Sequence, residues 1–442
     1  MKEIKKEYIE QLNKEYKSDV QANVMSNVLS KTAITESIHV RDREASTQSQ
    51  FEIDIKTLPA AHQHATGRCW IFAATNVLRE IIANKLNLEQ FELSQNYLAF
   101  YDKYEKTNYL LESIIALVDK DYDDRTLSHI LTIGVQDGGQ WDMFVNLVEK
   151  YGVVPKSAFP ETFQSDNSQG MNYIINTMAR KFAATAQKLA KNGKIADIQT
   201  EKDELLDKIY KLLCTCYGTP LEKFDFEYVD KDKNYHLEEG YTAKSFTEKY
   251  IGSFLNNYVS IINAPTESKP FNKMYTVKWV GNVVGGNDIS YLNLSIEEMK
   301  ELVIKQLKNK EVVWFGSDCG KFGDRNTGVW DPLAYDYKNA LGFDLNVNKG
   351  DMLNYKISAM NHAMVLTGVS FKGGQPTKFR VENSWGTEKA DKGYFLATDK
   401  WFDSFVFQAV INKKYLNEKQ KAMLNQSKIE LEPWDPMGTL AD

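Results

Sequence analysis

Residues 63–70 read QHATGRCW, and the cysteine in this stretch, Cys69, stands at the start of a helical pattern. Apolar residues then recur at three- and four-residue spacing, which predicts a helix with one apolar stripe: Trp70, Ala74, Val77 and Ile81. Charged residues fall off this stripe, at Arg79, Glu80 and Lys85. The peptide dipoles of a helix place partial positive charge at its N-terminus, where it favours a thiolate over a thiol. We therefore predict that Cys69 is a nucleophile.

Composition limits the class of protein. The chain has 442 residues, 43% of them hydrophobic and 26% charged, which is typical of a globular protein with two or three packed units. A net charge of -6 argues against a general nucleic-acid binder, because phosphate binding needs clustered Lys and Arg. Four cysteines are too few for a disulfide framework and favour a reducing compartment. No signal peptide and no apolar run of ~20 residues is visible, so we expect a cytoplasmic protein without a membrane segment.

The first half of the chain has mainly helical patterns. Residues 4–28 predict an amphipathic helix that leads into the body of the protein. A further helix is expected after Leu93, with Ser94 as its N-cap. The glycine pair within residues 137–141 interrupts the helical pattern, and a short helix then ends at Gly152.

Residues 171–191 and 201–217 have long helical patterns and indicate a helical insertion. Cys216 falls on the apolar stripe of the second pattern, so we expect it in the core. Cys214 and Cys216 could be half of a metal site, but residues two apart do not share a helix face and no second ligand pair accompanies them. From Tyr275 the pattern becomes strand-like, with a helix expected over 295–309 and a strand over 312–316.

Two stretches near the end of the chain have chemically useful residues. His362 begins an otherwise apolar strand, and Asn383 follows a second strand in the sequence NSWG. Each has a plain structural alternative, since a histidine on an apolar strand is often a hydrogen-bonded core residue and NSWG could be a simple turn. The combination of these residues with Cys69 is more informative than either alone.

A cysteine protease needs a thiolate, an imidazole that holds and later delivers a proton, and a group that orients the imidazole. Cys69, His362 and Asn383 supply these in chain order. It also needs donors for the oxyanion, and Gln63 can bring its side-chain amide beside the sulfur, together with the N–H of Cys69. Trp385 could cover the hydrogen bond between His362 and Asn383.

These residues resemble the signature of the papain superfamily. Further stretches make the chain similar to the bleomycin hydrolase and aminopeptidase C family: TGRCWIFAA at 66–74, LSQNY at 93–97, DGGQW at 137–141, VWFG at 313–316 and PWDPMG at 433–438. The resemblance implies an aminopeptidase in which Cys69 is the nucleophile, His362 the general acid and base, Asn383 the orienting residue and Gln63 the oxyanion donor. We expect no cofactor and no metal.

The resemblance also implies an α+β fold, with a papain-like core made of a helical half and a β-barrel-like half, a helical insertion and a C-terminal arm. The expected regions are an N-terminal extension at 1–55, the helical half at 56–158, a mainly helical insertion at 159–270, the β-rich half at 271–405, and a C-terminal helix and active-site arm at 406–442. A ring-shaped homohexamer is the implied assembly. Its active sites would face an inner cavity.

The last residues, EPWDPMGTLAD at 432–442, contain two prolines that forbid a regular helix. A frayed end is the simple interpretation, but an apolar Trp-Pro-Met segment is unlike a disordered tail. In the family this arm lies in the active-site cleft, and its terminal carboxylate faces the ammonium group of a peptide with a free N-terminus. The terminal carboxylate could belong to Ala441, after trimming, or to Asp442. Trp385, Asn361, Ala441 and Asp442 are the expected substrate-binding residues.

Two alternatives stay open. The same constellation could transfer the acyl group to an amine instead of water, and product analysis with added amines would distinguish the two reactions. The helical insertion also has a local basic face that could contact nucleic acid, although solvated lysines are the usual outcome on such a helix. Its residues are Arg180, Lys181, Lys188, Lys191 and Lys194.

Overall fold

The computed structural model describes residues 1–45 and 49–441, which form helices packed around one large mixed β-sheet. The mixed α and β composition predicted from the sequence is therefore confirmed. No helix in these two ranges is both long and apolar enough to cross a lipid bilayer.

The helices of the described residues are α1 (Lys6–Ser18), α2 (Val20–Leu29), α3 (Ile34–Ser37), α4 (Arg41–Ala45), α5 (Cys69–Leu86), α6 (Gln95–Ala116), α7 (Arg125–Ile133), α8 (Trp141–Tyr151), α9 (Phe163–Asp166), α10 (Gln169–Lys191), α11 (Ile195–Tyr217), α12 (Ala243–Tyr250), α13 (Ile296–Lys308), α14 (Tyr337–Leu341), α15 (Lys349–Asn354), α16 (Asp399–Phe405) and α17 (Glu418–Met423). The strands are β1 (Ile53–Asp54), β2 (Phe224–Val229), β3 (Tyr235–Tyr241), β4 (Tyr258–Ile262), β5 (Lys273–Val277), β6 (Tyr291–Asn293), β7 (Val313–Ser317), β8 (Val329–Trp330), β9 (His362–Lys372), β10 (Gln375–Glu382), β11 (Tyr394–Thr398), β12 (Val406–Asn412) and β13 (Ile429–Leu431).

The large sheet has the strand order β13-β5-β6-β4-β12-β7-β9-β10-β11-β8, with β1 paired to β9, and β2 and β3 form a separate hairpin. Its central strands are covered on both faces. Along β9, Ala363 and Val365 belong to the core shared with α5 and α6, whereas Met364 and Leu366 belong to the core formed with α13 and α16. Burial on both faces explains why these strands are continuously apolar and not alternating.

Helix α5 begins at Cys69, as the pattern predicts, and packs against β7, β9, α6 and α8. The helix is buried beyond its predicted apolar stripe. Arg79 falls off that stripe in the sequence, yet it is only 1% exposed. The reason is a tertiary partner: its guanidinium lies 2.8 Å from the carboxylate of Glu382, at the end of β10.

The N-terminal pattern forms two helices instead of one. Asp19 ends α1 and caps α2, because its carboxylate accepts a hydrogen bond from the N–H of Ala22 at 2.9 Å. Although α2 contacts α14, neither helix has a buried residue on the predicted apolar stripe. Several of its large apolar side chains are exposed: Ile4, Tyr8, Ile9, Leu12, Tyr16, Val20, Val24 and Val28.

Two regional predictions differ from the structure in their strands. The segment 406–442, expected to hold a C-terminal helix and the arm, contains the helix α17 but begins with β12, which lies between β4 and β7 and is buried along its whole length. The segment 159–270, expected to be mainly helical, also contributes the β2–β3 hairpin and the sheet strand β4. On α11 the buried apolar residues include Leu205, Ile209, Leu213 and Tyr217, whereas Cys216 is half-buried and packs against this core.

Candidate active site

Cys69 lies at the first residue of α5, and its side chain is fully buried. The backbone N–H of Ala363 donates a hydrogen bond to the sulfur at 3.4 Å. Since Ala363 follows His362 at the start of β9, the thiol and the imidazole come from adjacent parts of the fold. Arg68, just before the cysteine, is also buried and pairs with Glu161 at 2.9 Å, which fixes the entry to α5.

His362 and Asn383 meet across the β9–β10 pair. Glu382 at the end of β10 is opposite Val365, so the next residue, Asn383, lies beside the start of β9. His362 Nε2 is 2.8 Å from Asn383 Oδ1. The N–H of Ser384 donates to the same atom at 2.8 Å, which identifies it as the amide oxygen. Nε2 must therefore be the protonated nitrogen, and Nδ1 of the neutral ring is left to accept a proton.

The environment of His362 favours its neutral form. Burial lowers the pKa of His362 to about 4, against the hydrogen bond that the imidazole donates to Asn383, which raises it, and the positive charge of Arg325 lowers it further. The ring of Trp385 stacks on the imidazole, with 5.1 Å between ring centres and 29° between planes. The tryptophan thus covers one face of the imidazole.

Gln63 is held against the same loop. Its N–H donates to the carbonyl of Ser384 at 2.9 Å, and its side-chain oxygen accepts from the hydroxyl of Ser384 at 2.6 Å. These bonds orient the NH₂ group of the amide toward the loop before Cys69, where one N–H is bonded to the carbonyl of Thr66. The second N–H of the amide is not needed for that bond, so the group can serve as an oxyanion donor.

A buried charge cluster behind the site was not predicted from the sequence. Glu382 accepts hydrogen bonds from Arg79 at 2.8 Å and from Asn76 at 2.7 Å. Burial raises the pKa of Glu382, and the charge of Arg79 opposes that shift. The cluster ties α5, which begins with Cys69, to the residue before Asn383. Nothing in the local pattern distinguishes these polar residues from solvent-facing ones.

A second unpredicted cluster supports the glycine pair at 138–139. The carboxylate of Asp137 accepts a hydrogen bond from the N–H of Gly67 at 3.1 Å and pairs with Lys103. Burial raises the pKa of Asp137, but the charge and hydrogen bonds of Lys103 outweigh this and hold the pKa well below its usual range. Lys106 donates to the carbonyl of Gly138 at 2.6 Å. The loop before Cys69 and the glycine pair are therefore joined by buried charges.

The C-terminal arm, residues 432–441, lies along that glycine pair. Ala441 and Gly139 exchange backbone hydrogen bonds, at 3.1 and 3.2 Å, and Ala441 is fully buried. A Cβ on Gly139 would lie 2.4 Å from the ring of Trp70, the residue after Cys69, so only glycine lets this loop pack against that ring. The arm therefore ends on the loop that packs against the residue after Cys69. Asp442, the other expected substrate-binding residue of the arm, lies outside the described residues.

Beyond its contact with the glycine pair, the arm is held by three further side chains. Lys269, which is 2% exposed, pairs with Asp435 at 2.9 Å. The guanidinium of Arg125 lies 3.8 Å from the ring centre of Trp434. Gln140 donates its side-chain amide to the carbonyl of Thr439 at 2.7 Å. The described residues of the arm are therefore held against the body of the protein and do not form a frayed end.

Asn361 lines a cleft of about 810 Å³ between the arm and the start of β9. Its side-chain amide donates to the buried carboxylate of Asp318 at 2.7 Å. The structure thus places Asn361 beside the arm and Trp385 against His362. Within residues 1–45 and 49–441, no group of three or more His, Cys, Asp or Glu residues is placed to hold a metal ion, and Cys214 and Cys216 are no exception.

Comparison with known proteins identifies the family of this chain. Residues 3–438 match the Peptidase C1-like family. The chain is 46% identical to aminopeptidase C of Lactobacillus delbrueckii subsp. lactis over 406 residues, 90% of each chain. It is 40% identical to mouse bleomycin hydrolase over 393 residues, 87% of this chain and 86% of the relative. The crystal structure of PepW from Lactobacillus rhamnosis superposes with a TM-score of 0.97 at 43% identity, covering 99% of both chains. The chain therefore belongs to the Peptidase C1-like family, alongside aminopeptidase C and bleomycin hydrolase, and the family predicted from the sequence is confirmed.

Proposed function

We propose that the protein is an aminopeptidase that removes N-terminal residues from peptides through a Cys69–His362–Asn383 thiol mechanism. The class of enzyme, a cysteine-type aminopeptidase, follows from its relatives over most of its length. The observation that supports the mechanism most directly is the 2.8 Å bond from His362 Nε2 to Asn383 Oδ1, beside a buried cysteine at a helix N-terminus. It gives the imidazole the tautomer that this chemistry requires.

In the proposed acylation step, the sulfur of Cys69 attacks the carbonyl carbon of the first peptide bond. Nδ1 of His362 accepts the thiol proton, and the side chain of Asn383 holds the ring in place. The oxyanion that forms on the carbonyl oxygen is bound by the side-chain amide of Gln63 and the N–H of Cys69. The C–N bond then breaks as the imidazolium gives its proton to the leaving amine, which leaves an acyl-enzyme on the sulfur.

Deacylation reverses these roles. His362 takes a proton from water, the resulting hydroxide attacks the thioester carbon, and the oxyanion again lies against Gln63. The C–S bond breaks and the first residue leaves as a free amino acid. Cys69 regains its starting state when the imidazole returns the proton to the sulfur.

The arm accounts for the proposed exopeptidase action. Ala441 occupies the backbone edge of Gly139, so an extended substrate cannot use that edge beyond its own first residue. A peptide with a free N-terminus would place its ammonium against the terminal carboxylate of the arm, an attraction that strengthens in a partly desolvated cleft. A blocked or internal residue lacks that charge and meets the arm as an obstacle.

We further propose a papain-like core interrupted by the insertion, a homohexamer and a cytoplasmic location. The exposed apolar residues of α1 and α2 support an assembly, because a continuous apolar face is the usual mark of a subunit contact. Nucleic-acid binding is less favoured. The guanidinium of Arg180 on α10 donates hydrogen bonds to the carbonyls of Leu131 and Thr132, so it is engaged within the chain.

A digestion time course tests the proposed function. A decapeptide with a free N-terminus should give a ladder that shortens by one residue at a time, and its N-acetylated form should stay intact. Internal cleavage products at early times, or equal cleavage of the acetylated peptide, would contradict exopeptidase action.

A further inference from the structure

Arg325 lies beside the catalytic histidine, although the proposed mechanism gives it no role. Its guanidinium carbon is 4.6 Å from the ring centre of Trp385, which in turn stacks on His362. The side chain is exposed. The nearest acid in sequence, Asp324, directs one carboxylate oxygen to the N–H groups of Asn326 and Thr327, at 2.7 and 3.2 Å. The neighbouring carboxylate is thus engaged with the backbone and not with the guanidinium.

The turn that presents Arg325 is anchored at its base. Gly328 donates its N–H to the carbonyl of Asp324 at 3.1 Å, and Asp324 donates to Val329 at 3.3 Å. Gly323 forms a backbone bridge with Trp330, whose side chain is fully buried. Arg325 therefore stands at the tip of a closed turn, and its position beside Trp385 is set by the fold.

The chemistry places the leaving group on the side of the site where Trp385 and Arg325 lie. His362 must deliver a proton to the leaving nitrogen, so that nitrogen has to lie within hydrogen-bond reach of the imidazole. Trp385 covers the same imidazole, whereas the arm approaches from Gly139 and Trp70. The residues after the cleaved bond therefore leave past Trp385, away from the arm.

We propose that Arg325 binds the C-terminal carboxylate of short substrates, so that the enzyme prefers dipeptides and tripeptides with both ends free. One or two residues span only about 3.5 to 7 Å, which brings the end of such a peptide to the rim formed by Trp385 and Arg325. The planar fork of a guanidinium matches the two oxygens of a carboxylate. The arm would recognise one end of the substrate and Arg325 the other. This inference rests on the proposed aminopeptidase function.

The test compares kcat/KM for Ala-Ala and Ala-Ala-NH₂, and for the corresponding tripeptide pair, in the wild-type enzyme and in Arg325→Gln. The wild-type enzyme should favour the free acid over the amide by about three- to five-fold, the usual effect of one exposed ion pair. Arg325→Gln should bring that ratio to about one. Any effect of the arginine on the pKa of His362 acts on both substrates alike and cancels in the ratio. Arg325→Lys keeps the charge without the fork and should give an intermediate ratio.

Lys356→Gln is the matched control, because it removes one exposed positive charge from the arm side of the cleft. It should keep the wild-type ratio. The inference is overturned if Arg325→Gln keeps the preference for the free acid, or if Lys356→Gln loses it equally. Failure of the proposed function would look different, since neither the acid nor the amide would then lose its first residue.

Discussion

Replacing Asp435 by asparagine should release the C-terminal arm and leave the catalytic residues in place. One carboxylate oxygen of Asp435 pairs with the buried Lys269 at 2.9 Å, and the other accepts the N–H of Met437 at 2.8 Å. Asparagine has nearly the same size and keeps an oxygen for the bond to Met437. The substitution therefore removes chiefly the negative charge that faces Lys269.

The expected magnitude follows from the burial of the pair. The side chain of Lys269 is 2% exposed and that of Asp435 is 16% exposed. Breaking a buried ion pair by removing one partner costs about 3 to 5 kcal/mol, because the remaining charge has no compensation. Since Asp435 is partly exposed, the lower value applies. A cost of about 3 kcal/mol reduces the ratio of docked to released arm by roughly a hundredfold.

The assay measures cleavage of one peptide in two forms, with a free N-terminus and with an N-acetyl group. Asp435→Asn should raise cleavage of the acetylated form by at least about tenfold, since blocked peptides gain access when the arm leaves the cleft. Glu432→Gln is the control on the same arm. Glu432 pairs with Lys278 at 3.5 Å at the surface, and such pairs contribute little. The account of the arm is refuted if Asp435→Asn leaves acetylated peptides uncut, or if Glu432→Gln has an equal effect.

Two further predictions concern the groups behind the site. Asn383→Ala removes the acceptor of a buried imidazole N–H, and kcat/KM for aminoacyl amides should fall by about ten- to a hundredfold; a fall of less than threefold would contradict an orienting role. Burial raises the pKa of Glu80 from 4.5 to about 7, against a hydrogen bond from Leu58 and the charge of Arg79 that lower it. The folded state then holds a proton that the unfolded state has already lost, so this residue makes stability fall as pH rises from about 4.5 to 7. Glu80→Gln should therefore raise the melting temperature at pH 8 and change it little at pH 5, and equal shifts at both pH values would count against this.

The residues that the sequence identified have strong local signals. Cys69 follows a short polar loop and begins a helical pattern, and the structure starts α5 there. Ser94 was expected to cap the next helix, and its hydroxyl accepts the N–H of Tyr97 at 3.0 Å. His362 was placed at the start of an apolar strand, where β9 begins. Each prediction depends on a few neighbouring residues, which a single sequence displays directly.

The buried charges could not be predicted in this way. Arg79 and Asp137 are charged residues in stretches whose secondary structure the sequence predicts. Their burial depends on partners that lie far away in the chain. Arg79 pairs with Glu382, and Asp137 pairs with Lys103 and receives the N–H of Gly67. A periodic pattern assigns such residues to solvent, because a charge is buried only where the fold supplies its counter-charge.

The order of strands in the sheet could not be predicted from the local sequence pattern either. The run Val406–Asn412 is buried on both faces, and periodicity cannot distinguish such a strand from a buried helix. Only pairing with β4 and β7 makes it a strand. The N-terminal helices show another limit, since several apolar side chains of their predicted stripe are exposed, although α2 contacts α14.

Hydrolysis of aminoacyl amides by Cys69→Ala tests whether the sulfur of Cys69 is the nucleophile. The substitution removes only the sulfur from a buried position, and circular dichroism and thermal unfolding would verify that the fold is kept. Hydrolysis should disappear in this variant, while peptides with a free N-terminus should still bind. Hydrolysis at a wild-type rate by a folded Cys69→Ala protein would contradict the thiol mechanism and the function built on it.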